Sequence, residues 1–145
     1  MTELHQPPVL TTGLRRAETL VVAPLHTVPE IDDTWPGFRD MPPVFATAMM
    51  VAFIEETCVR ALRPYLGPHQ RTVGTSVNVS HVAATPVGMA VTAEIELVAT
   101  GRVLSFKATC RDEAGPIGEG THQRTIIDYG RFMGRLKEKS ASIGR

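Results

Sequence analysis

Residues Val44 to Tyr65 read VFATAMMVAFIEETCVRALRPY, and this stretch decides the architecture. Pro42 and Pro43 just ahead of it suit the start of a helix, and Pro64 with Gly67 and Pro68 stops one. The pattern predicts one long helix over 44–65. Its first half, Phe45 to Ile54, is apolar almost all round, which predicts burial on most sides. Val51, Glu55, Cys58 or Val59, and Leu62 follow helical spacing, so Glu55 stands in an apolar row. Glu56 is placed beside Arg60 at i, i+4, the spacing of a solvated ion pair.

Past residue 68 the period changes from helical to alternating. Val73, Val77 and Val79 share one face of a run that reaches His81. Val91, Ala93, Ile95, Leu97 and Ala99 share one face of the next run, and Leu104, Phe106, Ala108 and Cys110 one face of the third. The breaks ATPVG, Thr100-Gly101 and EAGP are of hairpin length. A run from Ile117 to Asp128 closes the sheet, and the basic stretch Tyr129 to Lys139 predicts a short C-terminal helix. Upstream, ETLVVAP within Leu14–Pro24 reads as a first strand. Residues 25–43 carry four prolines, an acidic cluster and the aromatics Trp35 and Phe38, and read as an irregular lid-like loop. Residues 1–13 and 141–145 read as tails around a single domain at 14–140. The order is strand, long loop, buried helix, four antiparallel strands. This is the α+β hot-dog arrangement: a curved antiparallel sheet of about five strands wrapped around one long hydrophobic helix. Such a domain leaves a sheet edge and part of the helix uncovered, so a homodimer is expected.

Composition excludes several classes. The 145 residues balance 15 Lys+Arg against 15 Asp+Glu. Nucleic acid is therefore not an expected partner, since phosphate binding draws on a basic surplus. No apolar run reaches the ~18 residues that span a bilayer, and MTELHQPPVL lacks the pattern of a signal peptide. Cys58 and Cys110 form neither a metal spacing nor a disulfide framework, which suits a reducing cytoplasm. Gly118 and Gly120 do not precede a strand-to-helix turn and make no dinucleotide fingerprint. No serine elbow and no Cys–His pairing is evident.

Three residues break their local pattern. Glu55 is either a carboxylate at the rim of the buried face or a functional acid, because a buried carboxylate is costly unless paired. Thr47, in the first helical turn, is either an N-cap or a reactive hydroxyl. It lies eight residues before Glu55, ~12 Å along the axis, so the two cannot bond directly within one helix. His81 is either a satisfied core histidine or a base able to work near neutral pH. His122 and Arg124, at i and i+2, share one strand face. That face is most simply a polar dimer or solvent surface, though Arg124 could hold an anion.

The stretches VFATAMMVAFIEETCVRALRPYL, VGTSVNVSHVAATPVG and IGEGTHQRTII resemble the fluoroacetyl-coenzyme A thioesterase family of hot-dog proteins, from about Val21 to Lys139. The resemblance implies a catalytic trio at Thr47, Glu55 and His81. It also implies an acyl-pocket glycine at Gly74, with its backbone amide, and an arginine near the site at Arg124. Where the fluoroacetyl-specific member has two lid phenylalanines, this chain has Phe38 and Met41, and methionine is the softer surface.

The chemistry so implied is hydrolysis of a short-chain acyl-coenzyme A, fluoroacetyl-coenzyme A among the candidates. It needs no metal or other cofactor, because coenzyme A is part of the substrate. His81 would be the base, Glu55 would orient it, activate water or attack, and Thr47 would attack or polarise the carbonyl. Two other classes fit the same fold: a non-catalytic acyl-coenzyme A or small-molecule binder, and an acyl-coenzyme A hydratase or dehydratase.

Overall fold

The structure, a computed structural model, describes residues 8–145. The first seven residues of the predicted 1–13 tail lie outside that range. The remainder of that segment is seated on the sheet: Leu10 packs against the core and the Gly13 amide donates to Leu97 O at 2.8 Å. In chain order the elements are β1 (Arg15–Val21), a one-turn α1 (Pro36–Arg39), α2 (Thr47–Leu62), β2 (Gln70–Val79), β3 (Ala90–Ala99), β4 (Val103–Asp112), β5 (Gly115–Asp128) and α3 (Tyr129–Ala141). The five strands form one antiparallel sheet in the order β1-β3-β4-β5-β2, with α2 lying against β1 to β4. This is the hot-dog fold.

Helix α2 is shorter than the predicted 44–65. Residues 44–46 are extended because their backbone is taken by neighbouring loops: Phe45 N donates to Thr85 O at 2.9 Å and Ala46 N to His26 O at 3.0 Å. At the other end the chain tightens into a 3₁₀ turn, Arg63–Tyr65, at Pro64. The buried stripe is Met50, Ile54, Thr57, Cys58, Ala61 and Leu62; it keeps Cys58 and Leu62 of the predicted row and replaces Val51 and Glu55 by Met50 and Ile54. It meets Val91, Ala93, Ile95 and Leu97 of β3 and Leu104, Phe106, Ala108 and Cys110 of β4. Val51 and Glu55 flank that stripe, and Thr47, Ala48 and Ala52 are exposed. The first half of α2 is thus open along one side of the single chain, against expectation. Glu56 does pair with Arg60, at 2.7 Å, and Arg60 also reaches Glu18 at 3.0 Å.

Two bulges correct the period-2 reading. One between Leu97 and Ala99 turns Ala99 out to solvent. The other, between Gly74 and Ser76, pairs Gly74 with Arg124 but Val77 with His122. Gly74, Val77 and Val79 therefore share the helix-facing side, while Val73 falls on the opposite side. The helix-facing positions of β5 are Gly118, Gly120, His122 and Arg124, opposite Cys110, Ala108, Phe106 and Leu104 of β4. The apolar core reaches β5 at Ile117, and further along that strand His122 and Arg124 bring polar groups to the helix-facing side. The 25–43 segment holds two 3₁₀ turns and α1, more order than an irregular loop.

Candidate active site

The start of α2 departs from the capping rule. Ala46 occupies the N-cap and makes no side-chain cap bond, and Thr47 is the first helical residue. The amides of Thr47, Ala48 and Met49 have no intrahelical acceptor, because the ladder begins with Met50 N to Ala46 O at 2.9 Å. The Thr47 hydroxyl does not cap. It lies 2.8 Å from His81 Nδ1. His81 sits just beyond β2, yet its neighbours continue the ladder, with Ser80 N to Glu119 O at 2.8 Å and Val82 N to Ile117 O at 2.7 Å. Its ring meets Phe45 edge-on at 6.2 Å between centroids. Burial pushes the His81 pKa below the ordinary value, with a smaller opposing effect from the Ala83 backbone, so the ring is held neutral. His81 Nε2 is buried and has no hydrogen-bond partner among the described residues.

Glu55 forms a second cluster. Its Oε1 accepts from Arg124 Nη1 at 2.9 Å and lies 3.8 Å from His122 Nε2; Oε2 has no hydrogen bond among the described residues. The carboxylate is 39% exposed, whereas His122 and Arg124 are 2% and 5% exposed. The expected solvent or dimer surface at His122 and Arg124 is therefore an interior one. Pairing of β2 beside β5 joins residues some fifty positions apart in sequence, and Glu55 of α2 reaches across that face to Arg124. Arg124 is committed inward: Nε donates to Thr72 Oγ1 and Nη2 to Thr72 O, both at 2.9 Å. Gly74 has no room for a side chain. A Cβ there would collide with Glu55 Oε1 and stand 3.3 Å from both Arg124 Nη1 and His122 Cε1. Val51, Glu55, Gly74, Thr75, Ser76, Val77 and His122 line an open cleft of about 290 Å³ between α2 and the edge strand β2.

Of the residues singled out in sequence, the fold thus joins Thr47 to His81 and Glu55 to Gly74 and Arg124. It does not join Glu55 to His81 within the chain. Phe38 and Met41 lie on the segment leading into α2, where Phe38 stacks edge-on with Trp35 at 5.3 Å and Met41 is 47% exposed. Sequence reading gave His122 only a surface role and passed over Thr72 and Ser76. Only the i, i+2 spacing of His122 and Arg124 pointed there, and an exposed strand face gives the same spacing.

Burial raises the Cys58 thiol to about 12 and the Cys110 thiol to about 11, so neither supplies a thiolate nucleophile. Among the described residues no three His, Cys, Asp or Glu side chains converge on a metal position, and no helix is long and apolar enough to cross a membrane.

Comparison with known proteins identifies the family and the fold. The family model for FlK, the fluoroacetyl-CoA-specific thioesterase, matches residues 30–130. The fluoroacetyl-CoA thioesterase of Streptantibioticus cattleyicolor is 39% identical over 132 residues, covering 90% of this chain and 95% of the relative. A solved structure of FlK superposes with a TM-score of 0.88 at 39% identity, over 91% of this chain and 98% of that one. A phenylalanine-to-alanine variant of FlK, solved with fluoroacetate and CoA, gives 0.82 at 41% identity over 85% and 99%. A thioesterase superfamily member from Thermus thermophilus gives 0.79 at 25% identity over 93% and 98%. A family match over most of the chain, on a fold that pairs Thr47 with His81, settles the assignment: this chain belongs to the fluoroacetyl-CoA-specific thioesterase family of hot-dog thioesterases.

Proposed function

We propose that the protein hydrolyses short-chain acyl-coenzyme A thioesters, fluoroacetyl-coenzyme A among them, to the free acid and coenzyme A. The observation that carries this reading is the 2.8 Å contact of the Thr47 hydroxyl with His81 Nδ1, the spacing of a nucleophile and its base. For Nδ1 to take the proton, the neutral ring carries its own hydrogen on Nε2. Thr47 Oγ then bonds to the thioester carbon as its proton passes to His81, and the carbonyl oxygen collects the free amides of the first turn of α2. The carbon–sulfur bond breaks, and the coenzyme A thiolate leaves with the proton from His81. Water, deprotonated by the same ring, cleaves the threonine ester and releases the acid.

Glu55 enters from a second copy in this reading. The exposed strip Thr47–Ala48–Ala52 and the half-buried Val51 and Glu55 leave α2 uncovered along one side, beside the edge strand β2. A two-fold contact there sets the two helices antiparallel, bringing Thr47 of one copy opposite Glu55 of the partner subunit. His81 Nε2 and Glu55 Oε2, both without a hydrogen-bond partner among the described residues, would then satisfy each other. Met41 makes the lid softer than an aromatic one, so discrimination between fluoroacetyl and acetyl groups should be weaker than in a Phe-lidded relative. Two buried, unbridged cysteines suit work in the cytoplasm.

Release of free thiol across a panel of short and long acyl-coenzyme A esters tests the reading. Turnover of acetyl and fluoroacetyl esters supports it. Silence across the panel with tight ligand binding would make the protein a binder, and strong preference for octanoyl or longer esters would refute the short-chain assignment. Comparing the fluoroacetyl-to-acetyl ratio of kcat/KM in wild type and Met41→Phe tests the lid. Mixing the impaired His81→Ala and Glu55→Gln proteins, each expected to keep about a hundredth or less of wild-type turnover, should restore activity if the site is shared between copies. Failure to do so after verified subunit exchange excludes sharing.

A further inference from the structure

His122 is a buried ionisable residue to which the proposed chemistry gives no task. Its Nδ1 lies 2.7 Å from Ser76 O, and a carbonyl oxygen only accepts, so Nδ1 carries the hydrogen. Its Nε2 lies 3.2 Å from Arg124 Nη1, and a guanidinium only donates, so Nε2 is the acceptor. These two contacts fix the neutral Nδ1–H tautomer. The other Nη1 hydrogen goes to Glu55 Oε1, and Nε and Nη2 are held by Thr72. Four of the five N–H groups of Arg124 are thereby placed, and Glu55 is aimed into the cleft by the only one that reaches it. Ser76 belongs to the register shift of β2, where the regular ladder is interrupted and a carbonyl can turn to a side chain.

We infer that His122 is a positioning residue for the thioesterase reaction: it accepts from Arg124, fixes the guanidinium, and through it holds the Glu55 carboxylate in place. This role rests on the thioesterase reading only for its effect on turnover. The holding itself is a property of the fold. Burial first, and then the charge of Arg124, push the His122 pKa below the ordinary value, in keeping with a ring that stays neutral.

Two polar substitutions separate the two bonds of the ring. His122→Gln reaches Arg124 with an acceptor oxygen and gives up the Ser76 bond. His122→Asn places a donor toward Ser76 and gives up the Arg124 acceptor. A merely structural role would be disturbed alike by both. In NMR spectra of the full-length protein, separate guanidinium Nη signals of Arg124 should persist in wild type and His122→Gln and collapse in His122→Asn. In thiol-release assays kcat of His122→Asn should fall by about 10- to 100-fold, the scale of a misplaced catalytic group, with KM within about threefold. His122→Gln should recover most of that loss. In a Glu55→Gln background His122→Asn should cost less than about threefold more, because coupled residues are not additive.

Arg124 signals that respond identically to the two substitutions overturn the inference, as does an equal loss of kcat in both Glu55 backgrounds. Arg124 signals that behave as expected in a protein silent on every thioester would instead overturn the thioesterase reading and leave the hold of His122 on Arg124 standing.

Discussion

A threonine in the first turn of a helix ordinarily serves the backbone, yet the Thr47 hydroxyl is committed to His81 and the cap position belongs to Ala46. Thr47→Val should therefore change unfolding free energy by no more than about 0.5 kcal/mol, as at other exposed positions. It should nonetheless lower kcat by about 10²-fold or more, the scale of lost acid–base chemistry. Thr47→Ser, which keeps the hydroxyl, should retain substantial turnover. Denaturant titration beside steady-state kinetics separates the two quantities, and a stability loss with unchanged kcat would return Thr47 to a structural role. Gly74 makes a steric argument of the same kind. Its missing side chain is the space Glu55 Oε1 fills, so Gly74→Ala must push the carboxylate off Arg124. We expect kcat to drop at least about tenfold, with the ~1–3 kcal/mol destabilisation of an overpacked site. A crystal structure of the variant should show Glu55 rotated away; an unmoved Glu55 with full activity would disprove the argument.

At the level of elements, α2 and the alternating strands were legible because hydrophobic period is set locally, by which side of each element meets the core. Thr47, Glu55 and His81 stood out for the same reason, as polar groups interrupting an apolar pattern. The bulges at Gly74/Ser76 and Leu97/Ala99 were not legible, since one extra residue in a ladder leaves no mark in alternation until the partner strand is known. His122 and Arg124 stayed hidden because their burial depends on β2 and α2, both distant in sequence, meeting β5 in the folded chain. The pairing of His81 with Thr47, thirty-four positions away, likewise arises only in the folded chain. The uncovered side of α2 yields a further expectation. Ala52 is exposed on the single chain, and Ala52→Glu would place a charge in the proposed contact between copies. Sedimentation should then show monomer where the wild type is dimeric, with activity lost and secondary structure kept. A dimer with normal turnover would place the contact elsewhere.

For the whole molecule, burial leaves His81 and His122 with pKa values below the ordinary 6.5. The unfolded chain takes up those protons near 6.5, before the folded chain does, so it binds more protons in that window. Stability should accordingly fall as pH drops from 7 through 6.5 toward the folded values, and thermal unfolding across that range measures it. Activity follows the same group with a different consequence. The base must be unprotonated, so kcat/KM should carry an acid limb set by His81: below 6.5 where the ring stands as in the single chain, and displaced upward where the carboxylate of Glu55 of the partner subunit accepts from Nε2. A kcat/KM profile with no acid limb at all would remove His81 from the role of base.

The bare amides at the start of α2 have an evolutionary corollary. A side-chain oxygen at position 46 would stabilise the helix by about 1 kcal/mol, so Ala46 forgoes stability that is chemically within easy reach. Ala46→Ser is thus a variant in which a hardier fold and a slower enzyme should arrive together, the hydroxyl competing with the thioester oxygen for the same donors. Selection for thermal robustness alone should drift toward that substitution, and selection for thioester turnover should hold the alanine in place.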